Sequence, residues 1–246
     1  MKICRFRVGE ESHTGVLQDD RVFLFEDEPQ SDLFFELSDI TFLPPVTPSK
    51  IVCVGRNYAE HAAELGNEVP KDPLLFLKAP SSLIGHEDDI VIPLQSQQVE
   101  HEGELAIVIG RTCKDITEDE DPLDYVFGFT CLNDVTARDI QRKDVQFTRG
   151  KSFDTFCPVG PFIETEIETS DLRVTTRVNG VIRQDGRTSQ MVFPVDFLVR
   201  YISGQMTLNA GDVIATGTPS GVSKMVPGDV CEVEIEGIGI LRSPIR

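Results

Sequence analysis

The sequence is poor in the features that would place it in several large classes. No apolar run approaches the roughly 20 residues that a membrane span needs. The opening "MKICRFRVGE" lacks the apolar stretch of a signal peptide, so the expectation is a soluble cytoplasmic protein with no membrane partner. The six cysteines (Cys4, Cys53, Cys113, Cys131, Cys157 and Cys231) include no C-x-x-C pair, which argues against a zinc ribbon or a dithiol redox motif. They are expected to be buried thiols. Basic residues are scarce: 23 Lys and Arg stand against 41 Asp and Glu, a formal net charge of −18. That balance disfavours nucleic acid and anionic membrane as partners, since both select basic surfaces. There is no internal repeat and no low-complexity tract.

What is present reads as short strands. "KICRFRV", "TGVLQ" and "RVFLFE" alternate in the first 43 residues, separated by turn residues such as Asp19 and Asp20. "LPPVTPSK" then places three prolines in one linker, dividing a small N-terminal β domain with its linker (1–46) from a larger domain (47–246). The first part is too small for much core of its own and is expected to pack on the rest. Beyond the linker, "KIVCVG", "DIVIP", "ELAIVIG" and "DYVFGFTCLND" read as strands. "RVTTRVNGVIRQ" reads as a hairpin with a type I′ turn at Asn179-Gly180. "NYAEHAAELG" reads as a helix with Asn57 as N-cap and Gly66 as stop. "VTARDIQRKD" and "FPVDFLVRYISG" are further helices, the latter ending at Gly204. Strands dominate and long helices do not alternate with them. The fold class is mainly β, of α+β type, rather than a doubly wound sheet.

The stretch "VEHEGELAIVIG" carries two acids at the entrance of an apolar strand. Glu102 and Glu104 are two apart, so both face the same way. Two such carboxylates repel unless protonated, exposed or bridged by a cation. A hard cation would take oxygen ligands and keep waters for a substrate to replace. Asp134, at a strand-to-helix junction, is the natural third ligand, or else a helix N-cap. His61 and Glu64 share a helix face, where a carboxylate can orient an imidazole base; an exposed polar face is the plainer reading. Lys78 and Lys151 sit beside apolar residues, as pocket lysines or as surface lysines with buried stems. From Arg138 to Lys151 five basic residues meet two acids. That island suits a small anion, or pairs with the acidic run at 115–124. Within it Arg138 and Gln141 would lie on one stripe with Asp134 if the helix starts there, while Arg142 and Lys143 would turn elsewhere. "TGTPSG" is a glycine-rich turn and lacks the pattern of a P-loop.

In order, "VGRNYAEHAAELG", "LFLKAPSS", "HEGELAIVIG", "NDVTARDIQ", "GKSFDTFCPVGP", "VNGVIRQDG" and "ATGTPSGV" resemble the fumarylacetoacetate hydrolase family. The resemblance runs from about residue 49 to the last residue. It implies a mixed β-sandwich roll with a small N-terminal β domain, working as a homodimer. It implies Mg²⁺, with Mn²⁺ or Ca²⁺ as alternatives, held by Glu102, Glu104 and Asp134. It implies a catalytic set of His61, Glu64 and Lys151, with Arg138, Gln141, Lys78 and Thr218 on the substrate. The segments "NEVPKDP" and that between "TARDIQ" and "GKSF" are short, which bears on substrate choice. The expected activity is C–C hydrolysis of an acylpyruvate-like 2,4-dioxo acid through an enolate. Its rivals are isomerisation or decarboxylation of a 2-hydroxydienedioate, decarboxylation of oxaloacetate, and a non-enzymatic metal- or metabolite-binding protein.

Overall fold

A computed structural model describes residues 1–25 and 33–246. Its frame is one large sheet. Ten strands lie side by side in the order Phe34–Glu36, Arg21–Leu24, Glu11–Gln18, Lys2–Val8, Cys157–Glu164, Val126–Asn133, Gly103–Ile109, Val213–Ala215, Ile51–Gly55 and Leu74–Lys78. Thr41–Leu43 and Leu83–Ile84 attach to its flanks. A second sheet of four strands runs Val181–Arg187, Arg173–Val178, Val230–Ile235, Gly239–Pro244.

The central strand explains the layering. Every residue of Gly103–Ile109 is buried, so both faces are covered. Leu105, Ile107 and Ile109 join the larger core with Leu198 and Ile202 of the helix Val195–Gln205 and with Val233 and Leu241 of the second sheet. Ala106 and Val108, pointing the other way, join Ile51, Cys157 and Val213. The continuous apolar run "LAIVI" is thus two alternating sets serving two cores.

The mainly β, α+β expectation agrees with this architecture. The N-terminal strands do pack on the rest: Lys2–Val8 pairs antiparallel with Cys157–Glu164, and Phe162 packs on the cluster of Cys4, Phe6 and Val22. The hairpin turn has positive φ at both Asn179 and Gly180, as a type I′ turn requires. The cysteines are buried and free. Among the described residues no helix is long and apolar enough to cross a membrane.

Four local expectations fail. "DIVIP" is no strand; only Ile90 makes a bridge, to Ile245. The helix after Asp134 begins at Arg138, because Thr136–Ala137 first pairs with Val99–Glu100. Gly204 lies inside its helix, which runs to Gln205. Asn57 does not cap the helix Ala59–Glu64; its amide donates to Phe193 O (3.0 Å) and Thr216 O (2.7 Å) and accepts from Phe193 N. Of "RVFLFE", Arg21–Leu24 is strand and Glu26 lies outside the described residues.

Candidate active site

Three carboxylates converge where the central strands end. Glu102 directly precedes Gly103–Ile109, and Asp134 directly follows the antiparallel Val126–Asn133. The entrance of one strand therefore meets the exit of its neighbour, and Asp134 N donates to Glu102 O (2.8 Å). Side-chain oxygens of Glu102, Glu104 and Asp134 lie within 4.8 Å of one another, all buried.

Two glycines shape the approach. A Cβ on Gly103 would come within 2.1 Å of Thr176 Oγ1, so glycine lets the second sheet close on this strand. Gly217 has φ +96° and donates its N–H to Glu104 Oε2 at 2.7 Å. Between the acids, Gly103 N donates to Gln184 Oε1 (3.0 Å) and Gly103 O accepts from Thr218 Oγ1 (2.8 Å). Gln184 Nε2 donates in turn to Thr218 Oγ1 (2.6 Å).

The charges are unevenly paired. Lys151 Nζ donates to Glu102 Oε2 and Asp134 Oδ2, both at 2.6 Å. Lys78 Nζ donates to Asp134 Oδ1 (2.6 Å) and Val135 O (3.1 Å). Arg138 donates to Glu100 Oε2 (2.7 Å), to Gln141 Oε1 (2.6 Å) and to Glu102. Burial pushes the Glu102 carboxyl up, but Lys151 and then Arg138 outweigh it and hold it well below the usual carboxylate range. Burial, then the charges of Asp134 and Glu102, push Glu104 well above that range. Among the described residues Glu104 has no cationic partner; its one hydrogen bond is to Gly217. Four buried carboxylates, counting Glu100, thus face three buried cations. An oxygen-only set with one orphaned carboxylate fits a hard divalent ion.

A cavity of about 320 Å³ opens over this cluster. Glu102, Glu104, Asp134, His61, Lys151, Arg138, Gln141 and Thr218 all line it, so the structure brings together most of the residues singled out from sequence. His61 is buried, with Nδ1 3.3 Å from Glu64 Oε2. Glu64 itself stands back from the wall and accepts from Gly221 N (3.1 Å).

Three expected placements change. Lys78 does not line the cavity; fully buried, it braces Asp134 from behind. Arg138 lines it, but its guanidinium is engaged with Glu100, Glu102 and Gln141 and so orders the site's own groups. Arg142, expected to turn elsewhere, is on the cavity wall. The basic island also does not pair with the acidic run at 115–124; Arg149 pairs with Asp144 instead. Sequence reading missed Glu100, although its place two before Glu102 marks the same strand face. It also missed Gln184, for which a lone glutamine in a hairpin gives no signal.

A mixed β-sandwich carrying a buried three-carboxylate cluster under a cavity defines a class of protein whose site could hold a metal ion. The family described as fumarylacetoacetate (FAA) hydrolase C-terminal matches residues 50–246, and one described as Rv2993c-like, N-terminal, matches residues 1–45. This chain belongs to the fumarylacetoacetate hydrolase family. It is 43% identical to the oxaloacetate tautomerase YisK of Bacillus subtilis, over 86% of this chain and 75% of that protein. The crystal structure of 5-carboxymethyl-2-hydroxymuconate delta-isomerase from Mycobacterium smegmatis superposes with a TM-score of 0.91 at 42% identity, covering 100% of this chain and 98% of the other. A fumarylacetoacetate hydrolase from Exiguobacterium antarcticum gives a TM-score of 0.90 at 41% identity, covering 100% and 99%.

Proposed function

We propose that this chain is a Mg²⁺-dependent enzyme that interconverts the keto and enol forms of a short 2-oxo acid by moving a proton at the carbon beside the 2-oxo group. The observation that carries this reading is Glu104: a buried carboxylate, without a cationic partner among the described residues, beside two that have one. Held by Glu102, Glu104 and Asp134, the ion would supply Lewis acidity toward the substrate's carboxylate and 2-oxo oxygens.

The remaining roles fall to the chain's own groups. His61 takes and returns the proton; Glu64, at its Nδ1, fixes the ring and leaves Nε2 for the substrate. The Lys151 ammonium offsets negative charge on the substrate oxygen. Phe76 and Phe147, in edge contact on the cavity wall, limit the water around the reacting carbon. The tautomerase and isomerase among the relatives support this reading. C–C hydrolysis of an acylpyruvate is the second reading, favoured by the His61–Glu64 pair, which can equally deprotonate a water.

A Mg²⁺-supplemented screen of oxaloacetate, acylpyruvates and 2-hydroxydienedioates, followed by enol absorbance and pyruvate release, tests both. Faster enol–keto exchange without pyruvate release supports the first. Pyruvate release from an acylpyruvate supports the second. No turnover of any of them with metal present sinks both.

A further inference from the structure

The strand Val181–Arg187 is mostly exposed, but Gln184 on it is fully buried. The groups around its amide fix which end is which. Gly103 N–H can only donate and Pro219 O can only accept, so Oε1 faces Gly103 N (3.0 Å) and Nε2 faces Pro219 O (2.7 Å). Oε1 also meets His101 Nδ1 (3.0 Å), and Nε2 also donates to Thr218 Oγ1 (2.6 Å). Both donors and both acceptor sites of the side chain are thereby filled. The Thr218 hydroxyl passes its own hydrogen on to Gly103 O (2.8 Å). Gln184 does not line the cavity and has no hydrogen-bonding site left for a substrate.

The partners of Gln184 belong to both halves of the site. On one side is Gly103, the residue between Glu102 and Glu104. On the other is the segment 216–221. Its Gly217 N donates to Glu104 Oε2 (2.7 Å). Its Gly221 N donates to Glu64 Oε1 (3.1 Å) and Oε2 (3.2 Å), and Glu64 is the carboxylate at His61 Nδ1. The strand grips this segment closely. A Cβ on Gly221 would come within 2.0 Å of Arg183 O, and one on Gly186 within 2.5 Å of Pro219 Cβ.

We propose that Gln184 is a positioning residue that holds the carboxylate cluster and the His61–Glu64 pair at a fixed separation, although it hydrogen-bonds to neither. The assignment rests on the metal and base roles given above and deepens them. The coupling runs from Gly103 through the amide to residues 218 and 219. From there it reaches Glu104 at one end of the loop and Glu64 at the other. Loss of the amide loosens both halves at once, whereas loss of a buried polar group serving one half would loosen that half alone. Separation matters because a shift of about 1 Å between reacting groups can cost on the order of 10²-fold in rate.

Two readouts, one for each half, test this. Calorimetry reports Mg²⁺ affinity. Imidazole nitrogen NMR shifts of the metal-free protein report the His61 ring; the chain has four histidines, and the His61 signals are those lost in His61→Ala. Gln184→Met keeps the reach of the side chain and removes its hydrogen bonds. It should weaken Mg²⁺ binding by about 10-fold, the scale of one lost hydrogen bond, and move the His61 shifts. Thr218→Val should do both as well, whereas Thr218→Ser, which keeps the hydroxyl, should do neither. Val22→Ala, in the N-terminal cluster, destabilises the protein elsewhere and should leave both readouts in place. A Gln184→Met protein that matches wild type in either readout overturns the assignment, as does Val22→Ala moving both. Thr218→Val decides in the same way if Gln184→Met does not fold. Wild type that binds no Mg²⁺ is a different failure: it overturns the metal reading, and the coupling with it, before any variant is compared.

Discussion

Glu102 and Glu104 stand two residues apart on one strand, yet their surroundings drive their charges in opposite directions. Glu102 is neutralised by Lys151 and Arg138, whereas Glu104 is not. Their amide variants should therefore behave oppositely. Glu102→Gln takes one of two carboxylate partners from each of Lys151 and Arg138, which keep Asp134 and Glu100, and should cost about 1.5–3 kcal/mol, read by urea unfolding of the metal-free protein. Glu104→Gln removes a buried carboxyl that its surroundings make costly to ionise, while keeping an acceptor for Gly217 N. It should leave the metal-free protein as stable or more so, yet abolish the rise in Tm expected on adding Mg²⁺ to wild type. Equal destabilisation by both would refute the pairing scheme. His61→Ala should reduce turnover by about 10²–10⁴-fold while calorimetric Mg²⁺ affinity stays within a few-fold. At this scale the carboxylates were legible, because alternation along a strand fixes which side chains share a face. The roles of Lys78 and Arg138 were not. The neighbours of Lys78 show a basic residue beside apolar ones and those of Arg138 a helix start, but neither shows that Asp134 and Glu100 close over them from far away in the chain.

The parallel pair of Val213–Ala215 with Ile51–Gly55 is fastened by one side chain just before the later strand. Asp212 accepts from Ser49 N (3.0 Å), Ser49 Oγ (2.7 Å), Lys50 N (3.1 Å) and Asn209 N (2.7 Å), and pairs with Lys50. Burial pushes its carboxyl up, but Lys50, Ser49 and the backbone amides outweigh that and hold it below the usual range. A depressed carboxylate contributes stability that is present above its unfolded pKa, near 4, and is lost as pH falls through the lower folded value. Asp212→Ala should cost about 1.5–3 kcal/mol at pH 7. The gap from wild type should narrow in urea unfolding repeated near pH 3; a constant gap would show that charge plays no part. Elements were legible where local chemistry decides them, as in the Asn179-Gly180 hairpin. They were misread where tertiary partners compete. Asn57 suits a cap, but the carbonyls of Phe193 and Thr216 take its amide. "DIVIP" has strand composition but lies where the chain offers only Ile245 as a bridge.

Across the whole molecule, the strands of the first 45 residues continue the main sheet, and Phe162 of the larger part packs on their cluster of Cys4, Phe6 and Val22. Deleting those strands should leave the Ile163–Glu164 end of the strand Cys157–Glu164 as an open edge beside an uncovered Phe162, and light scattering should then report association in place of a well-defined species. That packing was expected from size alone, whereas strand order was invisible, because no local pattern says which distant segments become neighbours. The order has a kinetic meaning. Residues 213–215 enter between Gly103–Ile109 and Ile51–Gly55, so the middle of the sheet stays open until the last sixth of the chain arrives. A ribosome that has released only the earlier strands holds two unsealed apolar edges and no turn to donate Gly217 N to Glu104. Refolding should accordingly be slow, as for proteins dominated by distant pairings, and a chaperone would find its substrate in the nearly finished chain rather than in its first half.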